Sequence, residues 1–381
     1  MTGLDGRRVY LDWNATAPLR PEARAAMLEA MDTVGNPSSI HTEGRAARAI
    51  VERARAQVAR LVGCDPSEVV FTSGATEAAA MAIPEMAGVL MADIEHDAVR
   101  EAACPQGAAS DVKLDVDRTG RLLGTVNGTG LFDAMWDDVV AIQAANSETG
   151  VRQETGALAA EIRGLERGAV ILIDAVQSVG KLAQSFPEQG GDFALVSAHK
   201  FGGPKGVGAL WCRGGREPRV VVRGGGQEMG RRSGTENVIG IAGFGAAAEA
   251  ALRDLEAGLW ETVAQLRNIL ETRLADAARE TIFFGQESPR LPNTSCFAVP
   301  GWKGETQVMQ MDLAGFAVSA GSACSSGKIR ESRVLRAMGF SAEVAGSAIR
   351  VSLGPTTTEA DVHAFADAWT AAYQKRRVRA A

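Results

Sequence analysis

The feature that most constrains the fold is a series of short apolar runs that end abruptly in polar residues and alternate with helical patterns. Such runs lie at 69–72, 139–143, 169–173 and 193–196, and apolar residues recur at every third or fourth position over 44–62. A run that is apolar throughout is typical of a strand buried on both faces. The alternation through residue 210 therefore predicts a mostly parallel sheet covered by helices.

Polar side chains collect where these apolar runs end. Ligands of parallel sheets bind outside the carboxyl ends of the strands, so we expect these side chains to line one site. They are His96, Asn146, Ser147, Asp174, Gln177, Ser197, His199 and Lys200.

Lys200 follows the run at 193–196 and precedes a loop with four glycines and a proline. Partial desolvation there would lower the pKa of a lysine and free its amine for Schiff-base chemistry, including chemistry with pyridoxal phosphate. A surface lysine in an ordinary loop is the alternative interpretation. Lys205, five residues further on, is a rival for the same chemistry or a support for the loop.

Two further patterns have both a chemical and a structural interpretation. Residues 73–77 (SGATE) join a strand to an alanine-rich helix, where free N–H groups and the helix dipole favour an anion such as phosphate. A serine or threonine there is also an ordinary helix cap. Asp174 ends a fully apolar run, so its carboxylate needs a partner. A protonated pyridine nitrogen is one such partner, and an arginine or a helix N-terminus is the other.

The composition narrows the class of protein. The 381 residues are 46% hydrophobic and 23% charged, which is typical of a globular chain long enough for two domains. The net charge of -6 argues against a nucleic-acid partner, and no apolar stretch approaches the roughly 20 residues of a membrane span. Four histidines without metal-ligand spacing predict no metal site. Five scattered cysteines and no apolar signal segment predict a cytoplasmic protein.

Cys324 is the cysteine best suited to chemistry. It lies in the segment SAGSACSSGKIRES (319–332), whose small residues predict a mobile, exposed loop around the thiol. Cys212 and Cys296 lie in apolar runs and are predicted to be core residues. Cys64 and Cys104 are assigned no role.

The pattern changes after a long alanine-rich stretch, predicted to be helical over about 236–280. Beyond it, shorter strand and helix patterns predict a second, smaller α+β unit. We predict a large domain over 15–255. The predicted small domain combines 1–14 with 256–381 and carries the cysteine loop.

A series of motifs runs along nearly the whole chain, in the order YLDWNATAPL, GNPSSIH, TSGATE, EHDAV, ANSETG, DAVQSVGK, SAHKFGGPKGVGAL, GGGQEMGRRSGTEN, LPNTS, SAGSACSSG and IRVSLG. In this order they resemble the motifs of pyridoxal-phosphate-dependent cysteine desulfurases of the NifS/IscS type, in the class V aminotransferase superfamily. The resemblance implies fold type I, with a mostly parallel seven-stranded sheet in the large domain. It also implies conversion of L-cysteine to L-alanine, a homodimer, and delivery of sulfur to an acceptor such as an iron–sulfur scaffold protein.

The resemblance assigns roles to individual residues. Lys200 would bind the cofactor covalently and remove the Cα proton, and Cys324 would take the sulfur as a persulfide. Arg350 would bind the substrate carboxylate, with Asn14 assisting. The remaining assignments concern the cofactor: Asp174 at the pyridine nitrogen, His96 stacked on the ring, Gln177 and Ser147 near O3′, Ala75, Thr76, Ser197 and His199 at the phosphate, and Thr235 at the phosphate of the other subunit.

Three departures from the family pattern keep alternatives open. Ser147 replaces an asparagine that normally contacts O3′; the segment between 83 and 95 is short; and KIRES (328–332) replaces the usual residues after the cysteine loop. Selenocysteine lyase or another class V reaction is one alternative. A weakly active, cofactor-binding scaffold that docks sulfur-transfer partners is the other.

Overall fold

The computed structural model describes residues 8–85, 87–103, 113–130, 139–165, 168–320 and 331–380. The strands are β1 (Val9–Tyr10), β2 (Val69–Thr72), β3 (Val89–Leu90), β4 (Leu114–Val116), β5 (Leu122–Val126), β6 (Thr129–Gly130), β7 (Val139–Gln143), β8 (Val170–Asp174), β9 (Phe193–Ser197), β10 (Gly208–Cys212), β11 (Ile282–Phe283), β12 (Thr294–Ala298), β13 (Phe316–Ala317), β14 (Ser319–Ala320) and β15 (Ala348–Ser352). The helices are α1 (Pro21–Met31), α2 (Thr42–Val62), α3 (Ala75–Ala82), α4 (Asp97–Ala103), α5 (Thr155–Gly164), α6 (Val238–Glu256), α7 (Leu259–Ala277), α8 (Gly304–Leu313), α9 (Arg333–Ala337), α10 (Ala342–Gly346) and α11 (Glu359–Ala380).

The largest sheet has the strand order β2-β10-β9-β8-β7-β3. Strands β9, β8, β7 and β3 run parallel to one another, whereas β10 is antiparallel to both of its neighbours. Among the described residues this sheet thus has six strands, where seven were predicted. Leu114, at the start of β4, donates its N–H to Met91 O at 3.2 Å, beside the β3 edge of the sheet. One hydrogen bond is too little pairing for β4 to count as a seventh strand of this sheet.

Both faces of this sheet are buried, which explains the continuous apolar runs in the sequence. In β7, Val140 and Ile142 face a core shared with α2 and α6, whereas Val139 and Ala141 face a second core shared with α3. The alternation of side chains along a strand divides each apolar run between the two cores.

A separate antiparallel sheet, β11-β12-β15-β14, packs against a third core. This core contains Phe297, Phe365 and Trp369 from the C-terminal part of the chain, together with Val9 and Leu11 from its beginning. The joining of the first residues to the C-terminal unit is consistent with the predicted domain division, which itself stays a prediction.

The helical stretch predicted over about 236–280 is two helices, α6 and α7, because Gly258 between them adopts a left-handed conformation with φ of 68°. Within α6, Gly245 permits a close approach to α2: a Cβ at this position would lie 2.6 Å from Cα of Ala54. In the part of the chain that the structure describes, no helix is long and apolar enough to cross a membrane.

Candidate active site

A cavity of about 550 Å³ opens at the edge of the main sheet where β2, β7, β8 and β9 end. Nearly all the site residues predicted from the sequence line it. These are Asn14, Ala75, Thr76, His96, Ser147, Asp174, Gln177, Ser197, His199, Lys200 and Arg350. The rival lysine, Lys205, lines the same cavity. Strand topology therefore brings together residues that are separated by up to 336 positions in the sequence (350 − 14).

Lys200 lies in a short 3-10 turn, Ala198–Lys200, directly after β9. Its Nζ donates to the backbone oxygens of Asn14 at 2.8 Å and Ala15 at 3.0 Å. The turn directs the lysine toward the N-terminal segment of the chain, which crosses the strand ends at this point.

Asn14 is the centre of a hydrogen-bond network that joins distant parts of the chain. Its buried Nδ2 donates to Thr294 Oγ1 at 2.9 Å and to Ser147 O at 3.2 Å. Its backbone N–H donates to Ser352 Oγ at 2.9 Å, and Gln177 Nε2 donates to its backbone oxygen at 3.0 Å. The residue predicted to assist substrate binding is therefore held rigidly from several sides.

One end of the cavity suits an anion. Helix α3 starts at Ala75, so the N–H groups of its first turn have no acceptor within the helix and lie at its positive end. Beside this turn, a Cβ added to Gly74 would meet nothing within 4 Å, so the space there is open. Burial, followed by the charges of Lys200 and Lys205, lowers the pKa of His199 to about 4. His199 is thus neutral at pH 7, with Nδ1 3.1 Å from Thr16 Oγ1.

The Asp174 end of the cavity suits a cation. Asp174 closes β8, and its Oδ1 accepts the backbone N–H of Val176 at 3.0 Å. Burial raises the pKa of Asp174, while the charges of His96 and Lys200 act in the opposite direction. A cationic ring nitrogen facing this buried carboxyl would restore its ionised form.

Arg350, in β15, contributes a guanidinium to the wall of the cavity. Its Nη2 donates to Asp12 Oδ1 at 2.7 Å, and its Nη1 donates to Ser147 O at 2.9 Å. The other oxygen of Asp12 accepts from Ser319 Oγ at 2.8 Å. These contacts fix the plane of the guanidinium, and a fixed plane favours bidentate binding of a carboxylate.

One described residue that was predicted for the site lies outside this cavity. Thr235 is exposed on the loop before α6 and does not line this cavity. Cys324 lies outside the described residues, and so does Cys104. Ser332, which follows the cysteine loop, donates to Glu148 next to Ser147.

The other described cysteines are poor nucleophiles. Cys212 and Cys296 are buried, as predicted. Burial raises the pKa of Cys212 to about 12, and burial followed by the charges of Glu68 and Asp65 raises that of Cys64 to about 12. The described residues also contain no cluster of His, Cys, Asp and Glu that could hold a metal ion.

Three buried polar residues around the cavity were not predicted from the sequence, namely Lys181, Gln143 and Glu95. Lys181 Nζ donates to Asn14 Oδ1 at 2.9 Å and to Gln177 Oε1 at 2.8 Å. Burial, followed by the charges of Lys200 and Arg350, lowers its pKa well below the usual value. Burial and then the charge of Asp174 raise the pKa of Glu95 to about 8. Of these three residues, only Gln143 could have been predicted from the sequence, because it ends one apolar run just as Asp174 ends the next.

The chain is similar to known proteins over most of its length. Residues 9–365 match the family model described as aminotransferase class-V. A cysteine desulfurase of Cereibacter sphaeroides is 41% identical over 368 residues, covering 93% of each chain. The cysteine desulfurase IscS of Dictyoglomus turgidum is 36% identical over 384 residues, covering 97% of this chain and 96% of its own. The X-ray structure of a NifS-like protein from Rickettsia africae superposes with a TM-score of 0.86 at 30% identity, covering 97% of this chain and all of that one. These similarities confirm the predicted α/β fold class.

Proposed function

The chain belongs to the aminotransferase class-V family and functions as a cysteine desulfurase, and we propose that the cavity at the sheet edge carries out this reaction with pyridoxal 5′-phosphate. The observation that carries the proposal is the convergence of Lys200, Asp174 and Arg350 on one cavity. No observation favours a selenocysteine lyase or a docking scaffold.

The residues of the cavity fit pyridoxal phosphate at both ends. The first turn of α3, with Ala75 and Thr76, would hold the phosphate together with Ser197 and His199. The buried carboxyl of Asp174 would face the ring nitrogen. Bound there, the cofactor supplies an electron sink that stabilises negative charge at the substrate Cα. His96 would stack on the ring, with Gln177 and Ser147 near O3′.

Lys200 is the residue that would attach to the cofactor and then move the Cα proton. Its Nζ donates to the backbone oxygens of Asn14 and Ala15, which hold the amine in place at the cavity. Lys205 lines the same cavity but stays the weaker candidate, because it lies within the glycine loop.

Arg350 would bind the substrate carboxylate, with Asn14 fixing the neighbouring backbone. The contacts of Arg350 to Asp12 and Ser147 hold the guanidinium before substrate arrives, so little side-chain freedom is lost on binding. A carboxylate fixed there would orient the substrate's Cα–H toward Lys200.

Cys324 would be the nucleophile that takes the sulfur. Its thiolate attacks the substrate sulfur, an S–S bond forms and the bond between Cβ and sulfur breaks. The electron pair of the broken bond stays with Cβ, which takes a proton and becomes the methyl group of alanine. A free thiol has a pKa of about 8.5, so the step needs nearby positive charge or hydrogen bonds to the thiolate.

We further propose a homodimer that works in the cytoplasm and passes its sulfur to an acceptor protein. Exposed Thr235 is available to a second subunit, and its loop is held by the ion pair of Arg232 with Glu77 on α3. Val34 and Ile40, which are 79% and 90% exposed, form apolar surface that a second copy would cover. The free thiols of the described cysteines fit a reducing compartment.

Two variants test the proposal. Lys200→Ala should lose the cofactor absorbance near roughly 400 nm and all production of alanine and sulfide. Cys324→Ala should keep that absorbance but lose both products. Normal turnover by Lys200→Ala would refute the cofactor assignment, whereas sulfide release that survives Cys324→Ala would refute the persulfide step alone.

A further inference from the structure

Gln143 occupies the same place in its strand as Asp174 does in the next one. It is the last residue of β7, and Gln143 and Asp174 are register partners across the parallel strands. Register partners present their side chains to the same face of a sheet. Both residues line the cavity, and Gln143 is only 4% exposed.

The orientation of the Gln143 amide is fixed by its neighbour Asn146. Asn146 Oδ1 accepts from the backbone N–H groups of Glu148 and Thr149, both at 2.9 Å. Asn146 Nδ2 is thereby directed at Gln143 Oε1, 3.0 Å away. Asn146 Nδ2 also donates to Ile94 O at 3.3 Å, so its two hydrogens use both acceptors. Turning the Gln143 amide over would place two donors against each other, and Gln143 Nε2 therefore faces away from Asn146.

Gln143 Nε2 is buried and has no hydrogen-bond partner among the residues that the structure describes. Proteins rarely retain a buried donor in this state unless a water, an ion or a ligand uses it. The wall of a cavity that fits a ligand is a position where such a donor has a use. Ser147 in the same wall has a hydroxyl donor but a shorter side chain than the asparagine that the family pattern has there, so its donor reaches less far toward the ligand.

We propose that Gln143 is a cofactor-binding residue whose Nε2 donates to the ring oxygen of pyridoxal phosphate, the contact that the asparagine replaced by Ser147 would otherwise make. The inference rests on the proposed function. Glu95 is the competing acceptor, because its Oε2 is also buried without a partner among the described residues while its Oε1 accepts the backbone N–H of Gln143.

The variant Gln143→Met separates the two acceptors, because methionine keeps the length of the side chain and removes the amide. The same change also removes Oε1, the acceptor of Asn146 Nδ2, so the thermal midpoint of the cofactor-free protein should fall by no more than the loss of that one hydrogen bond. The Kd for pyridoxal phosphate, measured by equilibrium dialysis, should rise about three- to tenfold, the range expected for one hydrogen bond. The absorbance of the bound cofactor should also titrate at a higher pH, because a donor stabilises the anionic ring oxygen.

Gln307→Met is the matched control. Gln307 is a fully buried glutamine in the third core, where Nε2 donates to the backbone oxygens of Trp302 and Ser347. This variant should lower the thermal midpoint and leave the Kd and the absorbance titration unchanged. If Gln143→Met lowers the thermal midpoint as far as Gln307→Met does and leaves the Kd and the absorbance titration unchanged, Gln143 is a structural residue paired with Glu95, and the inference is overturned.

A second variant tests which cofactor atom is contacted. Ser147→Asn restores the longer amide, so it should bring the Kd of Gln143→Met back to within about twofold of the wild type. A double variant as weak as Gln143→Met would overturn the assignment to that oxygen. A wild-type protein that takes up no pyridoxal phosphate would refute the proposed function itself, whereas an unchanged Kd in Gln143→Met would refute this inference alone.

Discussion

The buried amine of Lys181 should make the free energy of unfolding depend on pH, and replacing Lys181 should remove that dependence. The side chain is 2% exposed, and its amine contacts the amide oxygens of Asn14 and Gln177. Burial lowers its pKa well below the ordinary 10.5. In the pH range between the lowered pKa and 10.5, the unfolded chain therefore holds one proton that the folded chain lacks.

The sign of the pH dependence follows from this proton. Wherever the unfolded state binds more protons, the free energy of unfolding rises with pH, here by about 1.4 kcal/mol per pH unit. Lys181→Met removes this slope and also removes two hydrogen bonds worth together about 2 kcal/mol. The variant should therefore be less stable than the wild type near pH 10.5. The free energies of unfolding of the two proteins should become equal at about pH 9, and below that pH the variant should be the more stable protein.

Proton uptake on unfolding is the direct assay. At pH 8.5, urea unfolding of the cofactor-free wild type should take up one more proton per chain than unfolding of Lys181→Met, as measured with an indicator dye in weak buffer. Gln177→Met is the control, because it removes one hydrogen bond of Lys181 but no titratable group, and its uptake should equal that of the wild type. Equal uptake by the wild type and Lys181→Met would show that Lys181 keeps its proton, and the reasoning would fail.

Three other predictions concern single contacts. Arg350→Lys keeps the charge but not the two-pronged geometry, so steady-state kinetics should show KM for L-cysteine raised about tenfold, with a smaller change in kcat. Arg55 and Glu228 form a buried ion pair at 2.7 Å, so Arg55→Met, which leaves the carboxylate unpaired, should lower the free energy of urea unfolding by about 3–5 kcal/mol. Gly245→Val should lower the thermal midpoint by several degrees through the clash with Ala54, whereas an unchanged midpoint would mean that α6 and α2 can move apart.

The sequence predicted those parts of the site that local patterns determine. Asp174 and Lys200 were found because each follows an apolar run, and strand ends are where a parallel sheet places ligand-binding groups. Lys181 was missed because the sequence around it, Ser178-Val179-Gly180, reads as an ordinary turn; only tertiary packing buries the amine. The break between α6 and α7 could have been predicted from Gly258, but helical patterns continue on both sides of this glycine and were interpreted as one stretch.

The number of strands in the main sheet and the roles of Thr235 and Cys324 could not be predicted from local sequence patterns. The prediction of seven strands came from the family resemblance, and the structure forms six over the described residues because β4 contacts the sheet edge through one bond. The predicted roles of Thr235 and Cys324 depend on a second subunit and on the cysteine loop. Neither can be derived from a pattern within one strand or helix.

The position of Asn14 has a consequence for how the protein is made. Asn14 leaves the ribosome long before its hydrogen-bond partners Thr294 and Ser352, which lie 280 and 338 residues further along the chain. The N-terminal segment therefore lacks its final contacts while more than three hundred residues are synthesised. The backbone oxygen that holds Lys200 can take its final position only after these partners have been synthesised. Contacts between residues far apart in the sequence form late and slowly, so the cavity should become able to take up cofactor only at the end of folding.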